Sequence, residues 1–317
     1  MTSGLAIVVA GMTLAFALPA AAVPAASGTA PGSADAQPSA EAPGAKLDSA
    51  EAQRRLDALN ARRDSFLATV STLADPQSDG SLHRDGAALC RDYELLIKER
   101  EDFVVAYLHY ASLLRATGNE DRAIHVLASA IRIEPREPAP RQLLAAVLAE
   151  KGEFAPAVTL LLDAIALAPG RAAYHFQLAE TLSVFSEDIV SAGIYDAAAL
   201  RDKMLEAYAN AVRIEPANRK YAFANARVRS LTPGVDPAAT LALWDAYKPD
   251  PKDAFERGAV ALHRAELLLR MGRKTEARAA AEGVSEPRLQ ATRRRLIERL
   301  SEAPTSPAST VIAPTGS

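Results

Sequence analysis

Residues 104–135 read VVAYLHYASLLRATGNEDRAIHVLASAIRIEP, and residues 138–169 read PAPRQLLAAVLAEKGEFAPAVTLLLDAIALAP. Laid over one another, Gly118, Ala123, Leu127, Ala130 and Pro135 meet Gly152, Ala157, Leu161, Ala164 and Pro169, each displaced by 34 and unchanged in type. A fixed period of this length signals a stack of small structural units. Within each unit the apolar residues recur at helical spacing. A glycine stands where a first helix stops, since it takes a left-handed backbone without a Cβ clash. A proline closes the second helix, because it cannot continue the backbone ladder. Each unit is therefore a helix, a turn and a second helix.

The pattern extends outward from these two units. Tyr110-Ala111 and Leu114 align with Leu144-Ala145 and Leu148, and then with Leu178-Ala179 and Leu182. The string Ile131 to Pro135 recurs as Val212-Arg213-Ile214-Glu215-Pro216 at a spacing of 81, so the third unit, about 172–216, carries 13 extra residues. In that unit Met204 and Tyr208 replace the alanine and leucine, and Ala211 is kept. A fourth unit, about 219–249, is degenerate: Ala226 and Ala238 fit, and Thr232-Pro233-Gly234 makes the turn. A fifth has Ala265, Leu268, Gly272, Ala277 and Ala281. Upstream, 88–103 reads as the second helix of an unmatched pair and 47–74 as a lead-in helix. Downstream, Leu289, Leu296 and Leu300 mark the apolar face of a capping helix over 288–302.

The sequence resembles the tetratricopeptide repeat family over about 85–287. The family pattern is large-x-x-small on a first helix, a turn, Ala-x-x-x-large-x-x-Ala on a second helix, then Pro. Small residues at Ala111, Ala145, Ala179, Ala123 and Ala157 allow close helix approach, and Leu127 and Leu161 fill the space between paired helices. The expected fold is all-α, a solenoid of about five antiparallel helix pairs with an insertion in the third and flexible termini.

Composition agrees with a helical chain. Of 317 residues 49% are hydrophobic and only 5% aromatic, and no stretch alternates with a period of two. The net charge of -3 gives no general pull toward nucleic acid, so no nucleic-acid partner is expected. Residues 5–18 form an apolar run too short to span a bilayer comfortably, and Pro19, Ala20 and Ala22 follow it as a signal-peptidase site would require. The expectation is a signal peptide over 1–22 and an exported protein of a bacterial periplasm or cell envelope. The segment before Leu5 carries no Lys or Arg, so the alternatives are an uncleaved short anchor, the sole expected contact with a membrane, and a cytoplasmic protein. Residues 23–46 and 303–317 are rich in Ala, Pro, Ser and Gly and read as a disordered linker and tail. Residues 47–84 are expected to form the lead-in helix and its turn. The lone cysteine, Cys90, excludes an intrachain disulfide and reads as a small hydrophobe or as a thiol that pairs between chains.

No constellation points to catalysis. His83, His109, His125, His175 and His263 have no second His or Cys at metal-ligand spacing, and neither a phosphate loop nor a nucleophile elbow occurs. Neither cofactor nor metal is expected. Arg293-Arg294-Arg295 is followed by Glu298 and Glu302 on the same helix and suits a charged cap face.

The resemblance implies instead a partner protein or peptide in the concave groove lined by first helices. In this register the groove-facing residues are Leu108, Ser112 and Arg115, then Gln142 and Ala146, then Phe176, Glu180 and Ser183, then Lys220, Phe223 and Arg227. Phe176 and Phe223 are the expected apolar anchors, with Lys220 or Arg227 pairing an acidic group. The paired Lys and Asn with which one subgroup grips a peptide's C-terminal carboxylate do not occur at these positions. The 13-residue insert, about 186–198, offers a second surface through Ile189, Ile194 and Tyr195, beside Glu187, Asp188 and Asp196. Insertions of this kind map to one edge of a repeat stack, and the plainer reading is a lengthened pair of helices whose apolar residues pack on each other. The chain is thus expected to be a non-enzymatic interaction module working through its groove, or a regulatory or assembly subunit of an envelope enzyme docking through the insert.

Overall fold

The computed structural model describes residues 47–72 and 80–301, with side chains from residue 84 onward in the second stretch. The signal peptide, linker, tail and the turn after the lead-in helix, all expected above, lie outside these residues, as does the His83 side chain. Among the described residues there are fourteen α-helices and no strand. They fall into two compact units, 47–214 and 215–301.

In the first unit α1 (Ser49–Thr72) packs on α2 (Gly80–Glu99), α3 (Val104–Ala116) on α4 (Glu120–Ile133), and α5 (Pro138–Glu150) on α6 (Phe154–Leu167). The fourth pair is α7 (Ala172–Val184) with α9 (Ala197–Ile214), and the short α8 (Ser186–Ser191) lies between them in the chain. The helix expected to begin at Ala88 begins at Gly80, and α1 is its partner. Ala52, Leu56, Leu59 and Arg63 of α1 are buried at helical spacing.

Sequence dictates each turn. At the end of α3, Gly118 has φ of +73°. Its N–H bonds the Arg115 carbonyl at 3.0 Å, and the Asn119 N–H reaches back to Leu114 at 2.8 Å. Gly152, Gly193 and Gly272 repeat this closure after α5, α8 and α12. Only glycine holds the left-handed backbone freely, and the two bonds satisfy carbonyls the helix leaves open. Between paired helices Ala123, Ala130, Ala157, Ala164 and Ala211 are fully enclosed with Leu127, Leu161 and Tyr208. Each buried leucine contributes about 1.5–3 kcal/mol, and the alanines set how closely the helices approach. Pro135 and Pro169 follow α4 and α6 two residues after each helix ends.

The insert adds α8 and lengthens the second helix of its pair: α9 has 18 residues where α4 and α6 have 14. Ile189 is wholly buried and pins α8 to the stack. Phe185, at the junction of α7 and α8, packs on Phe154 with ring centroids 5.0 Å apart.

The second unit pairs α10 (Arg219–Leu231) with α11 (Pro237–Ala246), and α12 (Ala254–Arg270) with α13 (Lys274–Glu282). A 3-10 turn (Pro287–Leu289) leads into α14 (Gln290–Ser301), whose Leu296 and Leu300 are buried with Leu289. One expectation is corrected here. Ala238 does not fill the small inward position of α11; it is exposed in the first turn, where the Asp236 carboxylate accepts from its N–H at 2.9 Å. Thr240 and Trp244 face inward instead, four residues apart like Ala123 and Leu127. The indole is large enough to fill the gap left by the degenerate repeat.

Candidate functional site

The first helices of the 47–214 unit present one register of side chains, and contacts one repeat apart tie them together. Arg115 of α3 donates from Nε to Glu150 of α5 at 2.9 Å, and its Nη2 donates to the other carboxylate oxygen. Gln142 of α5 donates to the Gln177 side chain of α7, and Gln177 Nε2 donates back to the Gln142 carbonyl at 3.1 Å. Both links join residues 35 apart. They hold α3, α5 and α7 side by side along the inner face.

Within this frame the expected groove residues separate into two groups. Ser112, Arg115, Glu180 and Ser183 keep partial exposure, and Arg141 at the start of α5 joins them. Leu108, Gln142, Ala146 and Phe176 are buried. The expectation that Phe176 anchors a ligand is therefore corrected: its ring meets Tyr208 of α9 edge-on at 5.8 Å and belongs to the repeat's own packing. Leu108 is likewise taken up by the core, which leaves Ser112 and Arg115 as the accessible expected groove residues of α3. Glu180 accepts from the Tyr208 hydroxyl, which holds its carboxylate at the face. Gln142 is 6% exposed, and its Oε1 has no hydrogen-bond partner.

On α10, in the other unit, Lys220 is exposed and Phe223 and Arg227 are partly exposed. Unlike Phe176, Phe223 keeps part of its ring accessible. It packs edge-on against Trp244 at 5.2 Å and Tyr247 at 5.7 Å, inside an aromatic cluster. Trp244 also stacks on His263 at 5.0 Å and donates through Nε1 to Ser230 Oγ at 2.8 Å. Burial, with the Arg227 charge adding to it, pushes the His263 pKa down to about 4. The imidazole is neutral and serves packing.

Of the insert residues, Ile189 is enclosed and unavailable to a partner, which corrects that expectation. Ile194 and Tyr195 are half-buried. Val184 and Val190 carry the exposed apolar surface of this segment.

Three side chains that sequence reasoning passed over also shape the unit. Arg63 of α1 donates from Nη1 to His109 Nδ1 on α3 at 2.6 Å, and Tyr93 of α2 donates to Asn60 at 2.9 Å. Burial first, and the Arg63 charge second, push His109 down to about 4. The available signal was the place of Arg63 in the stripe Ala52, Leu56, Leu59, where an apolar residue would otherwise stand. Cys90 is half-buried, and burial pushes its thiol up. Among the described residues no group of three or more His, Cys, Asp or Glu is placed to hold a metal, and no helix is long and apolar enough to cross a membrane.

Residues 114–180 match the profile of the tetratricopeptide repeat family, which spans the end of α3 through most of α7. No curated protein matches the sequence. Solved structures similar to the chain include YrrB, described as a tetratricopeptide repeat protein with an unusual peptide-binding site. It is 14% identical, with 60% of this chain and 89% of that one covered and a TM-score of 0.48. The MamA protein is 15% identical over 69% of this chain and 96% of its own, with a TM-score of 0.38. TTC0263, a thermophilic tetratricopeptide repeat protein of Thermus thermophilus, is 18% identical over 62% and 99%, with a TM-score of 0.38.

Proposed function

We propose, from the premise that this chain is a tetratricopeptide repeat protein, that it is an exported interaction module holding a peptide segment of a partner protein along the inner face of α3, α5 and α7. Proteins of this family are in general non-catalytic scaffolds, and this chain is assigned the same kind of role. The observation that carries it is the pair of links one repeat apart, Arg115 to Glu150 and Gln177 to Gln142. They keep three first helices in register and leave a row of polar groups accessible between them. An extended peptide laid along that row meets Ser112 and the Arg115–Glu150 pair, then Arg141, then Glu180 and Ser183. Its recognition on this face is by hydrogen bonds and charge, since Phe176, expected as the apolar anchor here, is committed to the core. Export rests on the apolar run 5–18 and the small residues Ala20 and Ala22.

Photo-crosslinking amino acids placed at Ser112 and Ser183 test the face, with Ala128 and Asp163 on exposed second-helix positions as controls. The expected result, in the native cell envelope, is capture of one partner from the first two positions and little from the controls. Equal capture from all four, or capture from the controls alone, contradicts the groove. N-terminal sequencing of the same material reports on export: a mature chain starting near Val23 is expected.

A further inference from the structure

The insert carries a second surface, independent of the groove. The first helices α3 and α5 each end in a glycine turn and hand over directly to their partners. After α7 the chain instead makes α8, fixed from below by Ile189 and by Phe185 against Phe154. Its end is closed by Gly193, whose N–H bonds the Val190 carbonyl at 3.0 Å, and by the Ile194 N–H on Ile189 at 3.1 Å. The backbone is thus held while its outer side is left open. Val184 is 53% exposed and Val190 37%, two large apolar side chains within seven residues. Water contact there forfeits burial free energy that a partner would recover.

Charge around them has a single sign. Residues 184–200 contain Glu187, Asp188 and Asp196 and no Lys or Arg. No ion pair reaches Glu187 or Asp188 among the described residues. The nearest bases along the chain, Arg201 and Lys203, pair with Asp202 and Glu206. The surrounding unit, 47–214, reinforces the sign: 25 Asp and Glu against 18 Lys and Arg give a net -7. Two exposed valines and two exposed carboxylates without an ion pair, all within seven residues, are complementary to a segment that is apolar on one side and basic on the other.

We infer that α8 and the end of α7 dock a basic amphipathic segment of another protein. Val184 and Val190 form the apolar contact, and Glu187 and Asp188 pair with its Lys or Arg. The acidic residues steer and orient the segment, and the valines supply the short-range contact.

The test uses the full chain and synthetic 14-residue peptides, one alternating Leu and Lys on helical spacing and one with Glu in place of Lys, read by fluorescence anisotropy. The Leu/Lys peptide is expected to bind, more weakly as salt rises, and the Leu/Glu peptide not to bind. The double variant Val184→Ser, Val190→Ser leaves charge unchanged and is expected to weaken binding at least fivefold. Glu187→Gln with Asp188→Asn is expected to do the same and to flatten the salt dependence. Circular dichroism and melting of each variant establish that it is folded. Equal binding of the two peptides, no binding of the Leu/Lys peptide, or a loss under fivefold in either folded variant overturns the proposal. Arg115→Ala, on the inner face, is expected to leave this binding unchanged; loss there assigns the peptide to the groove and also overturns it.

Discussion

At the scale of single residues, the turns are where one side chain decides most. Gly118 has φ of +73° and nothing within 4 Å of where a Cβ would stand. Gly118→Ala therefore meets no clash and isolates backbone strain, expected to cost about 1–2 kcal/mol. Urea unfolding checks this, and no loss of stability would contradict the left-handed closure. His263 offers a second residue-level test. Its pKa is about 4 in the folded chain against an ordinary value of 6.5. The unfolded chain therefore takes the proton first as pH falls. The stability from a neutral His263 is complete above pH 6.5 and is lost progressively toward pH 4, by about 3 kcal/mol for this group. His109 shifts in the same direction and adds to the fall. Replacing His263 with Phe keeps a ring against Trp244 and is expected to flatten part of the slope in melting curves between pH 4 and 7. The glycines were legible in sequence because only one residue type suits that conformation. The Arg63–His109 contact was not, because it joins residues 46 apart whose meeting depends on how α1 lies over α3.

At the scale of elements, the helix pair is the unit that sequence spelled out, and the alanines are its spacing rule. Ala157 is fully enclosed between α6 and its partner. Ala157→Leu forces the helices apart and is expected to destabilise by about 1–3 kcal/mol, with helical circular dichroism kept until an earlier melt. A variant as stable as the parent would mean that the pair tolerates a wider gap. Helix bounds followed from the Gly and Pro marks in the two clean repeats, α3 to α6, but not for α2, which begins at Gly80; side-chain exposure was not legible. Period and register assign Phe176 and Phe223 to the inner face, but whether a ring there is open depends on its neighbours. Tyr208 exists in the third unit only because that repeat departs from the alanine-leucine pattern, and Trp244 fills the fourth for the same reason. In both places the aromatic that replaced the standard residue packs edge-on against the phenylalanine opposite, which leaves Phe176 buried and Phe223 partly exposed. The insert misled in a similar way. Of the three insert residues expected at the surface, Ile189 is buried and Ile194 and Tyr195 are half-buried, while the exposed apolar surface falls on Val190, because composition alone does not say which side chain faces in.

At the scale of the whole molecule, repeats distribute stability and function differently from a globular core. Each helix pair contacts chiefly its neighbours, so stability builds from local interfaces. What the stack adds is a shared face that no single pair possesses, here the row from Ser112 to Ser183 held by links 35 residues long. Function then follows from which surface engages a partner. Hydrogen–deuterium exchange of the full chain, with and without the protein captured by crosslinking, reads that surface directly. The account predicts slowed exchange in α3, α5 and α7, with α4 and α6 little changed. Protection confined to the second helices, or no protection on any first helix, would contradict it.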